Sequence, residues 1–289
     1  MKYYLFLCRP KQWVKNLACL SVLFITPNLN SQDFKNCLLT SFVFIIASSF
    51  IYVINDIVDL ESDRSHPIKR NRPLAAGKIS KKCSNIFLLF IFSLILFFGL
   101  FIKANAFLII CLYIFTQVIY SFYGKNKPLL DIYLIGLGFI LRFLSGVVTI
   151  GTEASPWFLI TSGCMALFLA IQKRKGELKS TKDKSKLVRK VLQSYTSESL
   201  NSFESIVVST GFMSYILWAS GPVFNGSQNS NLLITAPLVL IGITRYQYIG
   251  NSKDLNLSTE SPTNIAFQDK YLKFIFLLWT ITTYLLINQ

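Results

Sequence analysis

Apolar side chains in this chain run together over long stretches instead of alternating with polar ones. Residues 36–55 contain no Asp, Glu, Lys or Arg, and neither do 83–102, 104–124 or 154–172. Each run is long enough to cross about 30 Å of hydrocarbon as a helix. The uncharged stretch 205–244 is cut into two further spans by Gly221-Pro222 and the polar run Asn225–Asn231. With the turn residues between them, these runs predict nine helices, near 15–30, 37–58, 84–102, 105–123, 129–150, 156–173, 201–220, 231–249 and 271–288. The first is crowded by Lys15, Pro27 and Asn28. Strands of alternating polarity, the mark of a transmembrane β-barrel, are missing. The expectation is one all-α, polytopic membrane domain over residues 1–289.

Composition agrees. Hydrophobic residues make up 52% of the chain and charged ones 15%, against about 25% charged in ordinary soluble domains. A disordered chain, a secreted disulfide scaffold and a cytosolic enzyme are excluded. The six cysteines (Cys8, Cys19, Cys37, Cys83, Cys111, Cys164) lack C-x-x-C spacing and read as packing residues. A single His66 rules out a multi-histidine zinc or haem site. The apolar stretch Tyr3–Cys8 is too short for a cleavable signal and is followed by Arg9 and Lys11.

The charge is lopsided. Lys and Arg number four in 1–16, seven in 56–82, two in 123–128, nine in 172–199 and three in 245–271, which is 25 of 29. The alternate loops carry only Lys35 and Lys103. Positive loops stay on the cytoplasmic side, so a cytoplasmic N-terminus in the inner (plasma) membrane is expected. The net charge of +15 then reflects topology, contact with anionic lipid and an anionic substrate, not nucleic acid.

Chemistry is concentrated where the second predicted helix ends, at Asn55-Asp56-Ile57-Val58-Asp59-Leu60-Glu61-Ser62-Asp63. With Asn55 at zero on a helical wheel, Asp59 falls at about 40°, Asp63 at about 80°, Asp56 at about 100° and Glu61 at about 240°. Four oxygen-bearing side chains thus share a face. Clustered carboxylates repel one another unless a cation sits among them, and hard oxygen donors suit Mg²⁺ bound together with substrate phosphates. Asn55, Asp56, Asp59 and Asp63 are therefore candidate metal ligands. The loop that follows, Lys69-Arg70-Asn71-Arg72-Pro73-Leu74-Ala75-Ala76-Gly77-Lys78, sets guanidinium groups suited to phosphate in a Pro/Gly framework. Lys11, Lys15, Tyr120, Lys125, Asp131, the mid-span Arg142, and Lys173, Arg174, Glu177 and Arg189 are further candidates for substrate binding. Lys173 is expected to open a long basic loop whose part Lys179–Lys186 is a solvated charge run.

These residues carry a resemblance. Asn55-Asp56-x-x-Asp59-x-x-x-Asp63 followed by Arg72-Pro73-Leu74-Ala75-Ala76-Gly77-Lys78-Ile79-Ser80 resembles the first signature of the UbiA superfamily of intramembrane prenyltransferases. Within it the chain is most similar to the decaprenyl-phosphate phosphoribosyltransferase subgroup. The shared traits are Arg9-Pro10-Lys11-Gln12-Trp13-Val14-Lys15-Asn16, Tyr120-Ser121-Phe122-Tyr123 with Pro128-Leu129-Leu130-Asp131, and Phe168-Leu169-Ala170 leading to Lys173-Arg174-x-x-Glu177-Leu178. Pro262 to Asp269 adds a faint match. The resemblance implies nine helices around a central cavity open to the cytoplasm and to lipid. It also implies a Mg²⁺-dependent transfer of 5-phosphoribose from 5-phosphoribosyl 1-diphosphate to a polyprenyl phosphate, with diphosphate released, in the supply of pentose donors to the cell envelope. Asn55, Asp59 and Asp63 are then the catalytic centre. Where other members carry a second aspartate-rich motif, this chain has Lys173, Arg174 and Glu177, which fits substrates with more phosphate. The alternatives are transfer of a prenyl chain from its diphosphate to an aromatic acceptor and, more remotely, lipid transport. Oligomeric state is left open between a monomer and a homo-oligomer.

Overall fold

A computed structural model of the chain describes residues 2–26, 29–66, 69–153, 155–180, 190–224, 226–227, 229–251 and 268–287. The described residues form α-helices and short 3₁₀ turns, with no strand among them. The α-helices are α1 (Lys2–Leu7), α2 (Val22–Ile25), α3 (Ser31–Val58), α4 (Leu60–Ser65), α5 (Lys81–Gly99), α6 (Ala104–Phe122), α7 (Leu130–Ile150), α8 (Pro156–Ser180), α9 (Ser197–Ala219), α10 (Ala236–Asn251) and α11 (Lys270–Ile287). Seven segments are long and apolar enough to cross a membrane: α3, α5, α6, α7, α8, Ser230–Asn251 and α11.

The chain divides into two compact units. One holds residues 1–22, 29–127 and 141–153, the other residues 23–28, 128–140 and 154–289. In the first, α3 packs against α5, α6 and the N-terminal 3₁₀ segment. A capping box starts it: Asn30 Oδ1 accepts the Asp33 N–H (2.8 Å), and Asp33 Oδ2 accepts the Asn30 N–H (3.3 Å). Val43, Phe44, Ala47 and Ile51 line its buried side, and Phe44 meets Tyr113 of α6 with ring centroids 4.7 Å apart.

The first expected span is not an α-helix. Residues Pro10–Leu20 wind as a 3₁₀ helix and α2 adds a single turn. Asn16 within this segment is buried. Its amide donates to Ser48 Oγ (3.1 Å) and accepts from Arg142 Nε (2.9 Å), while Ser41 donates to its carbonyl (3.3 Å). Irregular backbone is tolerated at membrane depth when protein groups satisfy it. A Cβ on Gly146 would stand 2.0 Å from the Cys19 carbonyl oxygen, so glycine is needed for the segment to lie against α7.

In the second unit α8 and α9 pair along their lengths, around buried Ile132, Ala170, Ile171, Val191, Tyr195 and Leu200. The α8 helix runs to Ser180, so Lys173 to Glu177 lie on its last turns and not at the start of a loop. Lys179, expected to be solvated, donates to the Gly250 carbonyl (2.6 Å). The α9 helix is 23 residues long yet too polar to count as a span. Its Glu204 is turned inward onto Lys175 Nζ (2.5 Å), Gln172 Nε2 (2.8 Å) and Gln247 Nε2 (2.7 Å).

Candidate functional site

Around the end of α3 two acids of the motif turn inward and Glu61 does not. Asp56 and Asp63 are buried at 3% exposure each, whereas Glu61, on the far side, is 83% exposed at its side chain. The helix breaks at Asp59, whose N–H still bonds to the Asn55 carbonyl (2.9 Å), and α4 carries on to Asp63.

A cation meets each carboxylate. Arg72 bridges Asp56 Oδ1 (3.2 Å) and Asp63 Oδ2 (2.5 Å). Arg9 also pairs with Asp56 Oδ1, and Lys125 with Asp59 Oδ1. Arg72 is aimed by the loop framework. Leu74 and Ile79 anchor the loop in the interior, the Lys78 N–H closes onto the Pro73 carbonyl (2.9 Å), and Gly77 takes a φ of 69°, which favours glycine. Burial pushes the Asp63 carboxyl up against the opposing pull of Arg72 and Lys69.

Arg9 was not among the candidates from sequence. Its φ is 52°, and its guanidinium lies 5.1 Å from the centre of the Tyr52 ring. The segment is tied to α3 by Trp13, which donates to the Cys8 carbonyl (3.1 Å) and Ser49 Oγ (3.1 Å). The only signal in the sequence was the Arg9-Pro10 pair opening the N-terminal motif.

The donors fit a hard divalent cation. The ion pairs engage one oxygen of each carboxylate, leaving the second oxygen of Asp56, Asp59 and Asp63, with the half-buried Asn55 amide, as hard donors. As the side chains stand, no three His, Cys, Asp or Glu are grouped to hold one ion among the described residues. Cations stand among the carboxylates instead, Arg72 between Asp56 and Asp63 and Lys125 on Asp59.

The other candidates separate. Lys11 and Arg70 are exposed, and Lys15, Lys69, Tyr120 and Lys173 are half-buried. Arg142 is buried in the first unit, donating to Asn16 and to Tyr113 Oη (2.9 Å each), with its guanidinium 4.6 Å from the Tyr113 ring centre. In the second unit Arg174 lies between Asp131 Oδ2 (2.6 Å) and Glu177 Oε2 (2.5 Å). Arg189 and residues 262–267 lie outside the described residues.

Helices long and apolar enough for a bilayer, the longest leading into three cation-bound carboxylates, define a multi-pass membrane protein. Residues 17–266 match the model of the UbiA prenyltransferase family, and the chain belongs to that family. It is 32% identical to the decaprenyl-phosphate phosphoribosyltransferase of Mycolicibacterium smegmatis, over 94% of this chain and 88% of the relative. It is 29% identical to the enzyme of that name from Mycobacterium tuberculosis, over 95% and 90%. Among solved structures it is similar to a UbiA homolog from Archaeoglobus fulgidus bound to GPP and Mg²⁺, with a TM-score of 0.73, 22% identity and 99% of each chain covered.

Proposed function

We propose that this chain transfers 5-phosphoribose from 5-phosphoribosyl 1-diphosphate to a polyprenyl phosphate and releases diphosphate. It works as one membrane domain of nine helices around a cavity open to the cytoplasm, in the plasma membrane with a cytoplasmic N-terminus, and its product serves envelope pentose donors. The observation that carries the reading is the matched set at the end of α3, three carboxylates and three cations, in a chain with Lys173, Arg174 and Glu177 on α8. The relatives named decaprenyl-phosphate phosphoribosyltransferase, matched over 88–90% of their length, support the choice of substrates.

Asn55, Asp56, Asp59 and Asp63 would hold Mg²⁺, which when bound supplies the positive charge that makes diphosphate a better leaving group. Arg72, with Lys69 and Arg70 beside it, takes the donor phosphates. Arg9 and Lys125, held on Asp56 and Asp59, would turn from carboxylate to phosphate when the donor binds. Lys11, Lys15 and Lys173 serve the 5-phosphate or the lipid phosphate. Arg142, Asp131 and Arg174, being buried, act by holding their neighbours in place. As the ribose C1–O bond breaks, its electron pair leaves with diphosphate and positive charge grows on the ring. An oxygen of the lipid phosphate, already anionic, forms the new bond to C1. Positioning and charge compensation do the work, and no nucleophilic side chain is required.

The test is mass spectrometry of products formed by the purified protein from 5-phosphoribosyl 1-diphosphate and a panel of lipid acceptors, with and without chelator. A polyprenyl phosphate heavier by one phosphoribosyl group, lost on chelation and restored by Mg²⁺, is expected. Turnover of a prenyl diphosphate onto an aromatic acceptor, without use of the phosphoribosyl donor, overturns the reading.

A further inference from the structure

A polar recess lies at the end of α3 opposite the acidic motif. Asn36 and Asp56 both belong to α3, and at about 1.5 Å of rise per residue they stand about 30 Å apart along its axis, one hydrocarbon thickness. Within the first unit a cavity of about 280 Å³ opens between Asn36 and Thr40 of α3, Thr149 of α7 and the turn Leu100–Lys103 that joins α5 to α6. At about 30 Å³ for each water, it has room for a phosphate group with several waters.

Its floor is fixed and its mouth is charged. Thr40 and Thr149 are buried and share a hydrogen bond (2.9 Å) that ties α3 to α7. Asn36 Oδ1 accepts from Gln32 Nε2 (2.9 Å), which leaves the Asn36 amide N–H groups as donors. Among the described residues the lining carries the Lys103 ammonium and no carboxylate. Lys103 Nζ stands 3.6 Å from the place a Cβ on Gly151 would take. That is just past the C-terminal end of α7, where carbonyl dipoles hold an ammonium without neutralising it.

The rim suits a lipid better than a free anion. Leu100 is 82% exposed, and Phe101 and Phe97 are exposed beside it. They continue the outer side of a helix long and apolar enough to span the bilayer, so an acyl chain can lie on them while its phosphate reaches the ammonium. Lys and Arg gather in the loops at the other ends of the spans, so a lysine in this cavity is no part of that bias.

We propose that Lys103 and Asn36 bind the phosphate of an anionic phospholipid in the leaflet opposite the acidic helix end, its acyl chains lying along Phe97, Leu100 and Phe101. One positive charge with no carboxylate on the same lining favours a headgroup of net negative charge over a zwitterionic one. The site stands apart from the transferase reading and does not depend on it.

The test uses the full chain in phosphatidylcholine nanodiscs with a trace of phosphatidylglycerol that carries a photoactivatable diazirine near the ester end of one acyl chain. Crosslinks mapped by mass spectrometry should fall on residues 97–103. Unlabelled phosphatidylglycerol should displace them, and added phosphatidylcholine should not. Lys103→Gln should lower labelling there about fivefold, the worth of one lysine beside an anionic lipid, and Lys103→Arg should keep it. Lys82→Gln, exposed in the first turn of α5, should leave it unchanged. Labelling at 97–103 that is missing, that phosphatidylcholine displaces equally, or that persists in Lys103→Gln overturns the proposal. Displacement by millimolar inorganic phosphate assigns the cavity to a free anion and overturns the lipid. The competition between lipids is run on the wild-type chain, so it judges the site even where Lys103→Gln fails to fold.

Discussion

Asp59 is the least enclosed of the three motif carboxylates, 24% exposed at its side chain against 2% for Asp56 and 4% for Asp63. Its partner is a lysine, a compact charge on a flexible stem, where the other two share arginines. Partly exposed ion pairs contribute only about 0–1 kcal/mol, so Asp59→Asn should leave the thermal midpoint nearly unchanged. The same variant should lower kcat/KM by about 100-fold, equivalent to about 2.7 kcal/mol of transition-state stabilisation. Retained turnover at ordinary Mg²⁺ would remove Asp59 from the site. Asp56→Ala should cost stability as well as activity. It leaves Arg9 and Arg72 without their shared oxygen and should cost about 3 kcal/mol of stability, read from chemical denaturation in detergent. The shared face of these acids was legible because a helical period needs only spacing. Arg9 was not, because its approach to Asp56 depends on a left-handed residue 47 positions away, and no local pattern encodes such a contact.

The same distinction separates the helices that the sequence predicts well from those it does not. Uncharged runs locate α5, α6 and the end of α3 closely, since lipid-facing and buried positions are both apolar. The end of α8 was obscured because its polar residues pair with protein groups, Arg174 with Asp131 and Glu177, Lys175 with Glu204 and Lys179 with the Gly250 carbonyl. Glu204, 3% exposed, receives donors from α8 and α10. Glu204→Gln leaves the buried Lys175 ammonium without a counter-charge and should destabilise the protein by about 3–5 kcal/mol. Adding Lys175→Gln should recover part of that loss, and the midpoints of single and double variants check it. The junction before α11 should respond to pH instead. Burial pushes Asp269 up, but hydrogen bonds from Arg245 and the Leu272 N–H outweigh this and hold its carboxyl below 3.8. A depressed carboxylate contributes stability above its unfolded pKa and loses it as pH falls through the folded value. Amide exchange at the start of α11, referenced to intrinsic rates, should therefore accelerate as pH drops below about 3.8, and Asp269→Asn should abolish that dependence.

At the scale of the whole molecule, the placement of charge makes a claim about sidedness that packing alone does not. The end of α3 with Asp56, the loop with Lys69, Arg70 and Arg72, and the start of α5 with Lys81 and Lys82 belong to one face by their order along the chain. If positive loops stay inside, that face is cytoplasmic, where a soluble phosphorylated sugar is available. Cys83 offers a direct reading. It is exposed in the first turn of α5, and the other exposed thiol, Cys111, lies within the span α6. A charged, membrane-impermeant maleimide should label Cys83 in inverted vesicles and not in right-side-out ones, with Cys83→Ser as the blank. Labelling from the outside would place the acidic helix end away from the cytoplasm. The donor could not then reach it, so the positive-inside orientation and the choice of a cytoplasmic phosphoribosyl donor would fall together.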